Sequence, residues 1–189
     1  MGLLKIYEQL FSQFNLISAQ VLLTHEDLSS RKRYLNARST LNNLISKKVI
    51  PVINENDTVA SDEIKFGDND TLAAMVANLL EADLLVLLTD QDGLFSDDPR
   101  KNDSVNLIEH AYIDDIKLDL LAKDTVSSIG TGGMTTKIQA ARKAGLSGTH
   151  TIIAFGRREN ILNEVGANNF HGTFLECREP KQLARKKWL

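Results

Sequence analysis

Three polar segments of this 189-residue chain hold the residues whose types and spacing could do chemistry. Asn54-Glu55-Asn56-Asp57 packs two amides and two acids into four positions. Carboxylates bind an ammonium group and amides bind either charge type, so this run could fix both ends of a small zwitterion. In an arbitrary chain a solvated polar turn is the simpler reading. Gly67-Asp68-Asn69-Asp70 stands where a helix is expected to open. One of these residues should cap it. Three polar residues after a glycine exceed what one cap needs, and a helix amino end attracts anions through its N–H groups and dipole. Gly130 to Lys137 reads Gly-Thr-Gly-Gly-Met-Thr-Thr-Lys. Its glycines would let the backbone approach a phosphate, the helix that follows would supply N–H donors, and Lys137 would supply charge. A flexible turn with an incidental lysine is the plainer alternative. The run is not the P-loop pattern, which needs Gly followed directly by Lys and Ser/Thr, and it lacks the last glycine of the dinucleotide fingerprint.

The elements that must position these segments alternate between helix and strand. Apolar residues at Leu3, Ile6, Tyr7, Leu10, Phe11 and Phe14 predict a helix over Leu3 to Phe14. Ile17 to Leu23 reads as a strand, Ser29 to Lys48 as one long helix, and Val49 to Ile53 as a short strand that tolerates Pro51 at its start or at an edge. A small strand at Ile64 to Phe66 and a helix from Asp68 or Asn69 to Ala82 follow. Leu84 to Leu88 is an uninterrupted apolar strand, expected where helices cover both sheet faces. Strands over Leu107 to Ala111 and Thr149 to Phe155, and helices over Met134 to Ala144 and Asn160 to Val165, complete the pattern. Strands alternating with helices predict an α/β fold with a mainly parallel sheet. In such sheets ligands collect at the carboxyl ends of the strands, where the first polar segment and the loop after Leu88 lie.

Composition narrows the class. Hydrophobic residues make up 42% and charged residues 25%, the mix of a globular chain with a sizeable core. No apolar run approaches the ~18 residues of a membrane span, and Met1 to Glu8 has no export-signal core, so no membrane partner is expected. Lys and Arg total 22 against 25 Asp and Glu, a balance that gives no nucleic-acid footprint; the basic tail, Lys181 to Lys187, reads as a solvated helix end. The single cysteine, Cys177, fits a reducing compartment, most simply the cytoplasm. His25, His110, His150 and His171 are scattered, which argues against a dedicated zinc site.

Taken together in order, Val52 to Asp57, Phe66 to Asp70, Leu88 to Phe95 with Asp98-Pro99, and Gly130 to Lys137 resemble the glutamate 5-kinase branch of the amino acid kinase family. The likeness runs from about Gly2 to Trp188. The Asp-x-x-Gly-Leu and Gly-Thr-Gly-Gly-Met runs indicate the family broadly, and the Asn-Glu-Asn-Asp and Gly-Asp-Asn-Asp pair narrows it. The resemblance implies a three-layer αβα sandwich of carbamate kinase-like fold. It implies transfer of a phosphoryl group from Mg-ATP to the side-chain carboxylate of L-glutamate. It would place Asn54, Asp57 and Asn69 on the glutamate, with Asp57 near its α-amino group. Thr89 and Asp90 would lie at the nucleotide, and Thr131, Gly132, Gly133, Met134, Thr135, Thr136 and Lys137 around its phosphates. Lys137 would neutralise the transferred group, Asp70 would orient lysines at the centre, and Asp68 is a further candidate for organising the site. No metal ligand is assigned.

The family opens with a strand carrying Lys-x-Gly-Ser/Thr and then a Ser-Gly turn, and neither occurs here. The resemblance therefore implies one kinase domain over 1–189 that lacks its first strands, with no second domain. It also implies feedback inhibition by proline and a homo-oligomer. Two other readings stay open: a non-catalytic fragment that binds nucleotide or amino acid, and another kinase of the same family.

Overall fold

The structure, a computed structural model, describes residues 2–59, 68–97, 104–119 and 133–179. The expected strand at Ile64 to Phe66 and the basic tail lie outside them. The chain divides into two compact units, Met1–Leu72 and Ala73–Leu189.

In the first unit, α1 (Leu3–Ser12) leads into β1 (Ile17–Leu23), α2 (His25–Ser29), α3 (Arg31–Ser46) and β2 (Val49–Glu55), and α4 (Asn69–Leu80) begins. β1 and β2 pair in parallel, Ile17 with Val49 through Leu23 with Glu55. Pro51 sits opposite Ala19 in a strand that has one neighbour among the described residues, so its missing N–H need not interrupt a second ladder. The long helix expected from Ser29 to Lys48 is two helices. Thr24 and Asp27 form a capping box, with Asp27 N–H on Thr24 Oγ1 and Thr24 N–H on the Asp27 carboxylate, and this starts α2 early. Burial works against charge on Asp27, but the bonds from Thr24 and Arg33 hold its carboxyl below the usual range. Ser30 is extended and breaks the helix before Arg31. Leu41 and Ala37 of α3 are buried, as are Leu23 and Leu28, while Leu35 and Ile45 are exposed. The stripe of α1 differs from a core-facing helix too: none of its residues is buried, and Leu3, Ile6, Tyr7 and Leu10 are exposed.

The second unit holds the rest of α4, β3 (Leu84–Thr89), β4 (His110–Tyr112), α5 (Met134–Gly145), β5 (His150–Phe155), α6 (Ile161–Gly166) and β6 (Gly172–Glu176). Its sheet runs β3-β5-β6-β4, with β3/β5 and β4/β6 parallel and β5/β6 antiparallel. The sheet is thus mainly but not wholly parallel, because β6, which the sequence pattern does not announce, returns beside β5. Period-two alternation sorts the strand residues onto two faces. Leu85, Leu87, Ile153 and Leu175 face Ala74 and Ala77 of α4 and Ile138, Ala141 and Ala144 of α5. On the other face Val86, Ile152, Ala154 and Phe174 pack with Ile161 and Val165 of α6. Helices therefore cover both faces, the three-layer arrangement. Leu84 and Leu88 are nonetheless exposed, since β3 is an edge strand among the described residues.

Candidate functional site

The phosphate-type residues are set by one αβ reversal. α5 packs against β3 and β5, and a tight turn with Gly148 at φ 78° sends the chain back into β5. Twelve helical residues span about 18 Å and six strand residues about 20 Å, so the start of α5 lies at the carboxyl ends of β3 and β5. Thr89 and Asp90 lie at that same end. Thr89 is register partner to Phe155, its carbonyl accepts from Gly156 N–H at 2.8 Å, and its hydroxyl donates to Asp90 Oδ1 at 3.1 Å. The second unit therefore brings together Thr89, Asp90 and the run Gly133 to Lys137. Thr131 and Gly132 lie outside the described residues.

Within α5 the candidates divide by what they touch. Met134 packs against the apolar core. The Thr136 hydroxyl donates to Gly133 carbonyl oxygen at 2.7 Å. Gly133 is the extended N-cap and has no side chain to fold back on the helix. Among the described residues a Cβ added at Gly133 would meet nothing within 4 Å. Gly133→Ala should therefore cost only the poorer N-cap, about 0.5–1 kcal/mol or roughly 1–4 °C, while weakening nucleotide binding where the backbone must approach a phosphate; thermal melts with and without nucleotide check both halves.

Lys137 is the informative residue. It is 9% exposed, the one charged side chain in the buried class among the described residues. Lysine is almost never buried without reason. It also stands in the first turn of α5, which contains no acid, at the positive end of the helix dipole. The dipole is unfavourable to a cation there, and local rules are broken in this way where a site needs the charge. Lys137, the helix amino end and the glycine N-cap stand together at the start of α5.

The first unit supplies the acceptor-type residues. Asn54 is the last but one residue of β2, and Asn56 N–H extends the ladder by bonding Leu23 carbonyl oxygen at 2.9 Å. Asn54 and Asp57 are exposed at the carboxyl end of the parallel pair. Asn69 is exposed and Asp70 half-buried on the opening turn of α4. Asp68 is the cap: its carboxylate accepts from Thr71 N–H at 2.6 Å and from Thr71 Oγ1 at 3.2 Å.

Thr173, which no motif marks, positions the loop after β3. Its hydroxyl accepts from Leu94 N–H at 2.7 Å in a buried setting. A Cβ at Gly93 would come within 2.6 Å of that oxygen and 3.0 Å of Thr173 N. The Gly-Leu of the Asp-x-x-Gly-Leu run is thus fitted to β6. Residues 79 apart meet here, a pairing that no local signal could reveal. Cys177 is half-buried, its thiol pushed up by burial and bonded to Gly145 carbonyl oxygen, so it is a poor nucleophile.

The sequence model described as the amino acid kinase family matches residues 2–155. The chain belongs to the amino acid kinase family. A protein of Herminiimonas arsenicoxydans named glutamate 5-kinase is 55% identical over all 189 residues, an alignment covering 100% of this chain and 51% of that protein. The chain spans about half the length of the relatives it matches. Two solved structures share the fold. Isopentenyl phosphate kinase of T. acidophilum in its product complex has a TM-score of 0.57 at 21% identity, over 87% of this chain and 62% of that one. Carbamate kinase from Giardia lamblia bound to AMP-PNP has a TM-score of 0.53 at 20% identity, over 74% and 44%. The α/β family fold expected from the motifs is the one found. Among the described residues no helix is long and apolar enough to cross a membrane.

Proposed function

We propose that this chain is part of an ATP-dependent glutamate 5-kinase, which moves the γ-phosphoryl group of ATP onto the side-chain carboxylate of L-glutamate. The observation that carries the phosphoryl-transfer part is Lys137, a buried cation on the first turn of α5 at the sheet end that also holds Thr89 and Asp90. The glutamate part is supported by the names of the relatives and by Asn54 and Asp57 at the end of β2.

The chemistry suits these residues. A glutamate side chain is already ionised at neutral pH, with an ordinary pKa of about 4.3, so no general base is required. One carboxylate oxygen forms a bond to the γ-phosphorus while the bond to the ADP oxygen breaks, and ADP leaves with that electron pair. The barrier is repulsion between anions and misorientation, so positive charge and positioning do the catalysis. Lys137 holds charge against the transferred group. The amino end of α5 faces the phosphates, with Gly133 allowing close approach. Asn54, Asp57 and Asn69 hold glutamate, Asp57 at the α-amino group, and Asp70 orients cationic groups. Mg²⁺ fits as a metal carried on the nucleotide, because it is usually held by one or two carboxylates plus substrate phosphates, and among the described residues no group of three or more His, Cys, Asp or Glu could cage a metal ion. Bound there, it would neutralise phosphate charge. Under the same reading the protein works in the cytoplasm, proline inhibits from the glutamate side near Asn54 to Asp57, and the exposed stripe of α1 supports a homo-oligomer.

Hydroxylamine trapping of the acyl phosphate tests the proposal, run on this chain alone and on the chain completed with the remaining residues of the Herminiimonas relative. ATP- and glutamate-dependent hydroxamate should form in the completed protein. Product only there would mark this chain by itself as a binding part; product in neither would sink the kinase reading.

A further inference from the structure

The turn that follows β5 carries a cation with no part in the chemistry above. Phe155 ends β5, and Arg158 N–H returns to Phe155 carbonyl oxygen at 3.3 Å, so Gly156 and Arg157 form the middle of a tight turn. Gly156 seats that turn on the end of β3. Its N–H donates to Thr89 carbonyl oxygen at 2.8 Å, and a Cβ there would meet Leu88 Cβ at 3.1 Å and Thr89 carbonyl oxygen at 3.5 Å. Arg157 directly follows this close approach, just beyond Phe155, the register partner of Thr89. The two arginines of the turn differ. Arg158 is engaged, with its Nε 2.9 Å from Glu164 Oε2 of α6. Arg157 is exposed and makes no ion pair among the described residues. Asp90 and Asp92 of the loop after β3 and Glu159 of the turn stand nearby in the chain, yet none of them takes its guanidinium. An exposed arginine by itself is an ordinary surface residue. What sets Arg157 apart is its place, at the same sheet end as Thr89, Asp90 and the start of α5 with Lys137. A polyphosphate chain carries more negative charge than one lysine balances, and a guanidinium meets phosphate oxygens through two parallel N–H bonds.

We infer that Arg157 is a second phosphate-binding cation of the nucleotide site, held beside Thr89 by Gly156 and acting with Lys137 on the polyphosphate of a nucleoside triphosphate. The inference rests on the nucleotide-site reading of Thr89, Asp90 and Lys137. Isothermal titration of this chain with Mg²⁺ and AMP-PNP should show binding about tenfold weaker for Arg157→Ala, the loss expected of a charge-assisted hydrogen bond. Arg158→Ala is the control. Its guanidinium is already held by Glu164, so affinity should stay within about twofold of the unsubstituted chain, less than the loss of one charge-assisted bond. Between roughly 0.05 and 0.2 M salt the affinity of the unsubstituted chain should fall more steeply than that of Arg157→Ala, because one screened charge contact is gone. Without nucleotide the variants should melt close to the unsubstituted chain, since the side chain is exposed. Unchanged affinity for Arg157→Ala would overturn the inference, and so would an equal loss in Arg158→Ala or an equal salt response in the two proteins. If Arg157→Ala does not fold, Arg157→Gln decides by the same criteria. A folded, unsubstituted chain that binds no AMP-PNP would instead overturn the nucleotide-site reading, and the inference with it.

Discussion

Lys137→Ala in the completed protein should lower kcat by roughly 10²–10³-fold, the usual loss when one preorganised positive group facing the transition state is removed. The KM for glutamate should stay within about twofold, because the ammonium acts on charge that develops during transfer rather than on the bound acceptor. Lys137 is buried in the first turn of α5. Lys137→Met keeps a long apolar stem in place and removes the charge, so it should be as inactive as the alanine variant. Steady-state kinetics of the three proteins test this, and a change confined to glutamate KM would contradict the assigned role.

Gly93→Val should destabilise the second unit by about 3 kcal/mol or more, at the upper end of overpacking effects. The first added carbon already meets Thr173 Oγ1 at 2.6 Å, Leu107 Cδ1 at 2.9 Å and Thr173 N at 3.0 Å. Two of those atoms cannot yield cheaply. Thr173 N belongs to β6, and Thr173 Oγ1 is held by Leu94 N–H, whose own side chain is 1% exposed. Displacing the hydroxyl leaves a buried N–H without its acceptor, a further loss of about 1–3 kcal/mol. At roughly 2–4 °C per kcal/mol for a chain of this size, the combined loss of about 4–6 kcal/mol gives an expected fall of about 8–24 °C. Gly166→Ala is the control, since among the described residues a Cβ there meets nothing within 4 Å. Urea titration with both variants measures the difference, and a Gly93→Val protein as stable as the control would refute the close-packing account.

Local chemistry made much of this molecule legible. Ile17 to Leu23 and Met134 to Ala144 were readable to within a residue, because branched residues and a 3.6-residue stripe state their periods within one turn or strand. The break at Ser30 was also readable, since Thr24 and Asp27 stand at capping-box spacing; a stripe running on past it hid the signal. The α1 stripe misled in the opposite direction. Periodicity reports an apolar face and says nothing of what covers it, and α1 buries none of its residues.

What the amino-acid sequence determined by itself was the inventory: the three polar runs, their order, the family they resemble, and strands that alternate with helices. Which partners a given residue takes was decided only in three dimensions. Asp68 became a cap and Met134 a core residue, while Lys137 emerged as a buried cation whose placement local rules disfavour. The Leu94–Thr173 bond joins residues 79 apart, and β6 reaches back past β5 to pair with β4. Propensity and periodicity act over a few residues. Burial, desolvation and the fit of a hydroxyl against a glycine depend on which distant segments share a space, and that is set by closure of the tertiary fold.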